Sequence, residues 1–175
     1  GPGTFYLNAF LSNMGACIIK YDSSGHFVWG KAISGGVTIE GSGIAIDKSG
    51  NIIVTGYFSG SAFDFDPGPG VSTLSSAGSF DCFVLKLDTA GNYLWAKRMG
   101  GTGDDRGNAV AVDQNNAVLT TGQYSGTVDI DPGTNVFNLT GNNSSNTYIQ
   151  KLDAAGNFIW AKSFNSTQYV TGISL

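Results

Sequence analysis

Two short segments of the 175-residue chain combine residue types and spacing that could bind a metal ion. Each reads Asp-x-Asp-Pro-Gly, with Asp64 and Asp66 in the first and Asp129 and Asp131 in the second. Because residues i and i+2 of a strand point to one face, each pair presents two carboxylates together. Hard oxygen ligands beside a turn with free carbonyl groups suit Ca²⁺, which is the one cofactor suggested by the sequence. The alternative is that these carboxylates accept hydrogen bonds from the backbone of the Pro-Gly turn.

Catalytic chemistry has little support in the sequence. The chain has a single histidine, His26, and no set of nucleophile, histidine and acid from which a hydrolytic triad could be built. Paired carboxylates also serve glycosidases, but their occurrence in two successive units favours a structural role. The glycine-rich segment 100–106 lacks the Lys-Ser/Thr of a phosphate-binding loop, and we interpret it as a connection between units. We therefore predict that the chain is not an enzyme and has no catalytic residues.

A ten-residue segment that ends in Trp-Gly/Ala-Lys occurs three times. Trp29 and Trp95 are 66 positions apart, and Trp95 and Trp160 are 65 apart. A fixed period of this size is typical of repeat architectures. Within each copy, an Asp opens a turn and a Gly occupies a position that requires positive φ, before an aromatic-rich strand returns. The residues that define the repeat are Trp29, Trp95, Trp160, Gly25, Gly91, Gly156, Asp22, Asp88 and Asp153.

The pattern between these segments predicts an all-β fold of propeller-type blades, each with four antiparallel strands. The chain divides into the second half of a repeat (1–40), a complete repeat (41–106), a second complete repeat (107–171) and the first strand of another (172–175). Each complete repeat also carries an insertion of about 20 residues, relative to the usual blade of about 40. About two and a half repeats are therefore present, incomplete at both ends.

Residues that recur in every repeat are interpreted as architectural. The three tryptophans could stack on sugars, but their fixed place in each unit favours packing between blades or a repeated outer stripe. Recurrent lysines such as Lys20, Lys86 and Lys151 are predicted to be edge or solvent-facing charges. Cys17 and Cys82 lie one place apart in equivalent strands, so we expect no disulfide and interpret both as small buried apolar residues.

Composition and charge narrow the possible environments. A net charge of −4 without a basic patch argues against nucleic acid as a partner. The sequence contains no run of about 18 apolar residues, so we predict no insertion into a membrane. The low content of charged residues, 13%, would suit an extracellular protein.

The segments 44–56 and 83–95 resemble the SBBP family of bacterial β-propeller repeats, through Asp-x-x-Gly-Asn turns between apolar strands. The Phe-Asp-Pro-Gly-Pro-Gly insertion at 65–70 is similar to the long variety of large secreted and cell-surface proteins of the Bacteroidetes. The resemblance implies a secreted bacterial surface scaffold with no shared catalytic motif. The tripeptide that contains Thr89 also resembles the O-glycosylation acceptor of Bacteroidetes.

The expected function is that of a non-enzymatic structural or adhesive repeat protein, located outside the cell or on its surface. Two arrangements remain open. In one, the chain is part of a longer propeller, and in the other its incomplete terminal repeats join copies head to tail into a ring or filament. The expected partners are thus other copies of the chain or further repeats of the same protein. An alternative is a propeller module that binds a glycan or a surface protein, in a calcium-dependent manner if the Asp pairs bind metal.

Overall fold

The computed structural model describes residues 15–33, 35, 37–142, 145–164 and 170–174. These residues form fourteen β-strands, and none of them is helical. All the strand pairs within the sheets are antiparallel. The predicted all-β class is confirmed, and the four-stranded sheets are consistent with propeller blades.

The strands form one hairpin and two four-stranded sheets that follow each other along the chain. Hairpin I contains β1 (Ala16–Tyr21) and β2 (Phe27–Ile33). Sheet II contains β3 (Thr38–Ile46), β4 (Ile52–Ser59), β7 (Asp81–Leu87) and β8 (Tyr93–Gly101), hydrogen-bonded in that order. Sheet III repeats this order with β9 (Arg106–Val112), β10 (Val118–Tyr124), β13 (Asn146–Leu152) and β14 (Phe158–Phe164).

The insertions between the second and third strands form small hairpins. In sheet II the insertion contains β5 (Phe63–Asp64) and β6 (Thr73–Leu74), and in sheet III it contains β11 (Thr127–Asp129) and β12 (Asn138–Thr140). The second of these hairpins also pairs with the outer strand of the preceding sheet, because β11 pairs with β8. The insertion of one sheet therefore ties it to the neighbouring sheet.

Sheet II is the centre of the packing, since apolar side chains cover both of its faces. Strand β7 is buried along its whole length. Phe83 and Leu85 belong to one apolar cluster, which also includes Ile18 of hairpin I. Cys82 and Val84 alternate with them and belong to a second cluster, which is shared with sheet III. The period-two alternation of a strand thus serves two separate cores.

Most predicted strands are observed, with differences at the start of β3 and at 172–175. Strand β3 begins at Thr38, earlier than the predicted start of the repeat at 41. The predicted strand at 172–175 does not form among the described residues 170–174, although Asn108 Nδ2 donates a hydrogen bond to the carbonyl oxygen of Val170 (3.1 Å). Residues 1–14 and 175 lie outside the described part of the chain. Both cysteines are free, but Cys17 is exposed, so the prediction that both are buried is wrong for this residue.

Candidate functional site at the junctions between sheets

The turn between the third and fourth strands has the same hydrogen bonds in each repeat. In sheet II, Asp88 Oδ1 accepts hydrogen bonds from the backbone N–H groups of Ala90 and Asn92, both at 2.8 Å. Asn92 Nδ2 donates to Asp88 Oδ2 at 2.9 Å, and Gly91 has φ 78°. The hydrogen bond from the backbone of Asn92 is the largest cause that lowers the pKa of Asp88. The turn is therefore a rigid unit whose outward-facing carbonyl groups are held in place.

The only histidine of the sequence takes the place of Asn in the corresponding turn of hairpin I. His26 Nδ1 lies 3.1 Å from Asp22 Oδ2, while the backbone N–H of His26 donates to Asp22 Oδ1 at 2.8 Å. The backbone hydrogen bond from His26 is the largest cause that lowers the pKa of Asp22. This geometry assigns His26 to the turn.

The turn of sheet II docks against the side chains of hairpin I, and we call this contact the first junction. Lys20 Nζ and Trp29 Nε1 both donate hydrogen bonds to the carbonyl oxygen of Thr89, at 2.8 and 3.2 Å. A Cβ atom on Gly91 would lie 3.0 Å from the Lys31 side chain and 3.3 Å from the Trp29 ring. The glycine therefore provides positive φ and close approach at once.

The second junction, between sheets II and III, repeats this contact with the equivalent residues. Lys86 Nζ and Trp95 Nε1 donate to the carbonyl oxygen of Ala154, at 3.2 and 3.3 Å. A Cβ atom on Gly156 would lie 2.9 Å from the Lys97 side chain and 3.2 Å from the Trp95 ring. Two successive junctions thus use one geometry in which a tryptophan and a lysine clamp the next turn.

The lysines at this position of the third strand in sheets II and III also bind carboxylates within their own sheets. Lys86 Nζ lies 2.9 Å from Asp47 Oδ2, and the two side chains are 6% and 1% exposed. Lys151 Nζ lies 2.7 Å from Asp113 Oδ2 in the equivalent but more exposed place. Burial raises the pKa of Asp47, but hydrogen bonds from Asn51 and Lys86 lower it overall. The prediction that these lysines face solvent is wrong for Lys86, because the next sheet covers it.

The outermost copies of the repeat residues lack such a neighbour in the described part of the chain. A Cβ atom on Gly25 would meet nothing within 4 Å, in contrast to Gly91 and Gly156. Trp160 is half-buried in β14. The side chain of Thr89, the predicted glycosylation residue, reaches toward Gly50, although the residue is exposed. Glycosylation of Thr89 stays a prediction.

The predicted calcium ligands of the first insertion engage the backbone. Asp64 Oδ1 accepts hydrogen bonds from the N–H groups of Asp66 (3.0 Å) and Ser72 (2.8 Å). Asp66 Oδ1 accepts one from the N–H of Gly68 at 2.7 Å. These are the turn contacts that the sequence offered as the alternative to metal binding.

The second insertion repeats the arrangement. Asp129 Oδ1 accepts hydrogen bonds from the N–H groups of Asp131 (3.2 Å) and Phe137 (3.0 Å), and Asp131 Oδ1 accepts one from Gly133 (2.8 Å). No group of three or more His, Cys, Asp or Glu suited to a metal ion occurs among the described residues. Since Ca²⁺ takes six to eight oxygen ligands, two carboxylates already bonded to the backbone fit it poorly. Calcium binding stays a prediction.

A polar cavity of about 240 Å³ lies where this second insertion meets sheet II. Lys97 and Arg98 of β8 line it together with Asp129 and Asp131. Charges of both signs within one small cavity suit a ligand that both donates and accepts hydrogen bonds. At this cavity, a predicted site pair lies beside other polar residues.

Sequence reasoning missed a pair of buried acids at the second junction. Asp81 and Asp105 are fully buried, and Asp81 binds the guanidinium of Arg98. Asp105 accepts hydrogen bonds from the N–H groups of Gly101 (2.6 Å) and Ser125 (3.3 Å). Burial is the largest cause that raises the pKa of Asp105 to about 6. The sequence carried a signal for these two acids, because the equivalent positions of the other repeats are not acidic.

The comparison with known proteins agrees with a repeat architecture. No protein-family model matches the chain. The chain is 37% identical over 110 residues to an uncharacterized WD repeat-containing protein of Acanthamoeba polyphaga mimivirus, a match that covers 62% of the chain and 8% of that protein. It is 27% identical over 119 residues to the regulatory protein FlaEY of Caulobacter vibrioides, covering 66% of the chain and 12% of that protein.

The chain therefore spans a small part of the length of the curated relatives that it matches. The described residues include no helix with the length and apolarity needed to cross a membrane. The chain is similar to a WD repeat-containing protein, and its four-stranded antiparallel sheets are consistent with the blades of a β-propeller.

Proposed function

We propose that the chain forms consecutive blades of a larger β-propeller of SBBP-type repeats, and that it acts as a non-enzymatic structural or adhesive scaffold. The observation that carries this proposal is the repeated clamp. Lys20 and Trp29 bind the Thr89 carbonyl, and Lys86 and Trp95 bind the Ala154 carbonyl in the same way. A contact that recurs with the period of the repeat supports successive blades in one fixed orientation.

The insertions support the same function, because they fill the space between sheets. Phe63 and Phe65 of the first insertion belong to the cluster on one face of sheet II. Val128 and Ile130, their equivalents in the second insertion, belong to the cluster on the opposite face. Buried insertions hold neighbouring sheets together, which a structural scaffold requires.

Calorimetry of the full chain tests the scaffold. If the clamps and shared cores couple sheets II and III, the two sheets unfold in one cooperative transition. The double variant Lys86→Met, Trp95→Phe removes both donors to Ala154 and should lower Tm or split this transition. Leu94→Ala, on the exposed side of the same strand, is the matched control and should leave it unchanged. Two independent transitions in the unmodified chain would refute coupled blades.

Light scattering distinguishes the two arrangements of the scaffold. A chain that is part of a longer propeller is expected to be monomeric in isolation, with a mass of 18.2 kDa. Head-to-tail assembly would instead give a discrete multiple of this mass for a ring or very large particles for a filament. The location on the cell surface is tested by labelling intact cells with an antibody against the chain. Labelling only after permeabilisation would contradict it.

A second candidate function is the binding of a glycan or a surface protein, and the polar cavity at Asp129 and Asp131 favours it. A glycan array probed with the full chain, with and without calcium, tests this function. The variant Asp131→Asn should reduce binding if the cavity is the site. Asp66→Asn, in the equivalent turn of the other insertion, is the matched control. The absence of binding to any glycan would leave the scaffold as the function.

A further inference from the structure

A lysine, an aspartate and an asparagine meet at one place in sheet II. Lys86 lies on β7, while Asp47 follows β3 and Asn51 precedes β4. Asp47 Oδ2 lies 2.9 Å from Lys86 Nζ, and Asn51 Nδ2 donates a hydrogen bond to the same oxygen at 2.9 Å. One carboxylate oxygen therefore holds a primary amine and a side-chain amide side by side.

The strand pairing brings these side chains together. Lys86 of β7 is the partner of Ile53 on β4. Asn51 precedes Ile53 by two positions, so it is the diagonal neighbour of Lys86 and lies within reach of a long side chain. Lys86 and Asp47 are both buried, and Lys86 Nζ also donates to the Ala154 carbonyl of sheet III (3.2 Å). The neighbouring sheet therefore covers the amine.

The full set of three groups occurs once in the part of the chain that the structure describes. In sheet III, Lys151 binds Asp113 in the equivalent place, but Ala117 stands where sheet II has Asn51. The turns between the third and fourth strands of sheets II and III keep the Asp–Asn pair, but no lysine of the described residues forms an ion pair with their aspartates. The repeat by itself therefore does not require an amide beside a buried lysine.

We propose that Lys86 and Asn51 form an intramolecular isopeptide bond, with Asp47 as the proton carrier. The Lys86 ammonium gives a proton to Asp47, and the neutral Nζ attacks Cγ of Asn51. The Nζ–Cγ bond forms and the Cγ–Nδ2 bond breaks. Nδ2 leaves as ammonium, because it takes one further proton from Nζ and the proton held by Asp47. The carboxylate is regenerated, and no other reactant is consumed.

The surroundings of the three groups favour this step. The resting pair is ionised, and the first proton transfer converts it into two neutral groups, which a buried site tolerates better than two charges. The amine and the amide are already held against one carboxylate, so the attack does not require a collision between separate molecules. The product amide keeps one N–H on Nζ, which remains available to the Ala154 carbonyl.

The bond adds a covalent restraint to sheet II. It closes a loop of the chain from Asn51 to Lys86, which contains β4 and the first insertion. A covalent loop restricts the unfolded chain and thereby stabilises the folded one. The proposal goes beyond the scaffold function and does not depend on it.

Mass spectrometry of the full chain under denaturing conditions tests the bond. The mass should be about 17 Da below that of the sequence, because one ammonia is lost. Tandem spectra of a protease digest should contain a branched peptide that joins Asn51 to Lys86.

Three variants assign the bond to its residues. Lys86→Arg keeps the positive charge without the amine, and Asn51→Ala copies the residue of sheet III while keeping the ion pair of Lys86. Both should have the full mass of their sequences. Lys151→Arg is the matched control and should keep the deficit, because sheet III has no amide at the equivalent place. Circular dichroism of each variant shows that it is folded.

Three outcomes would overturn the proposal. The first is the full mass in the folded, unmodified chain after prolonged incubation. The second is a deficit that persists in Lys86→Arg, which would assign the lost ammonia to a succinimide within one asparagine. The third is a deficit of about 18 Da in Asn51→Ala, the mass of water, which would assign the bond to Lys86 and Asp47.

Discussion

The first and second junctions are built from the same repeat, yet only the second is closed along its whole width. Their outer halves match, since a lysine and a tryptophan bind one turn carbonyl in each. Their inner halves differ, since Val110 is buried at the second junction and Ile44 is exposed at the first. The comparison shows that the clamp needs only the third and fourth strands of a repeat, whereas the apolar inner contact needs the first two.

The largest expected effect is the difference in stability when a charge is introduced at the inner contact of each junction. Val110→Asp places a carboxylate in the closed junction and should destabilise the chain by more than about 3 kcal/mol, because a buried unpaired charge is costly. Ile44→Asp, at the equivalent open position, should change the free energy of unfolding by less than about 0.5 kcal/mol. Urea denaturation of both variants measures this difference. Equal losses would mean that the first junction is also covered in solution.

The two ion pairs formed by the third-strand lysines of sheets II and III should rank by burial. Asp47→Ala leaves Lys86 buried without its carboxylate and should cost about 3 kcal/mol. Asp113→Ala affects the more exposed pair with Lys151 and should cost about 1 kcal/mol or less. Chemical denaturation of the two variants under identical salt conditions gives the ranking. A larger loss for Asp113→Ala would contradict the burial seen in the structure.

The buried acid Asp105 makes the stability of the second junction depend on pH in a way that the first junction does not share. Asp105 aligns with Ile39, which is buried in the first junction. Because the pKa of Asp105 is raised to about 6, its neutral form is favoured in the folded chain. Its contribution to stability is therefore fully present below its ordinary pKa of 3.8 and is lost as pH rises through about 6.

Asp105→Asn should remove this loss, which we expect to be about 2 kcal/mol between pH 4 and 7. The turn aspartates have lowered pKa values, so their contributions are lost only as pH falls further, outside this window. Thermal unfolding across the window measures the effect. The same slope in Asp105→Asn as in the unmodified chain would assign the pH dependence to another group.

A modest expected effect tests whether the outer halves of the two junctions are equivalent. Trp29→Phe and Trp95→Phe each remove one indole N–H donor to a turn carbonyl while keeping an aromatic ring. Each should cost about 1 kcal/mol, the net worth of one hydrogen bond. Matched denaturation curves are the measurement. A loss confined to Trp95→Phe would show that the outer clamp depends on the inner contact after all.

Part of this fold was predictable from local pattern alone. The three copies of the turn fix hairpins, because an Asp acceptor and a residue with positive φ specify the turn from within five residues. Asn116 stands at the Gly position of the similar turn between β9 and β10 and adopts φ 61°, as expected for the next best residue at such a position. The strands between turns were predicted from β-rich segments that recur at the same place in each repeat.

The candidate site was less accessible to the same reasoning. The carboxylates of Asp64 and Asp129 were found, but their hydrogen bonds to the backbone required the folded insertion. Lys86 was assigned to solvent because a recurring charge usually faces water, and a neighbouring sheet overrides that rule. Asp105 was missed because its glycine-rich segment was interpreted as a connection between units, and its departure from the repeat does not by itself show that it is buried.

The sequence by itself determined the repeat, the turns and the all-β class, since these depend on residues close together in the chain. Only the tertiary structure decided which face of each sheet is covered and which charge is buried. Those properties depend on the neighbouring sheet, about 65 residues away, and the local residues are nearly the same in every repeat. Equivalent residues such as Ile44 and Val110 differ in burial because one has a neighbour and the other faces an open groove.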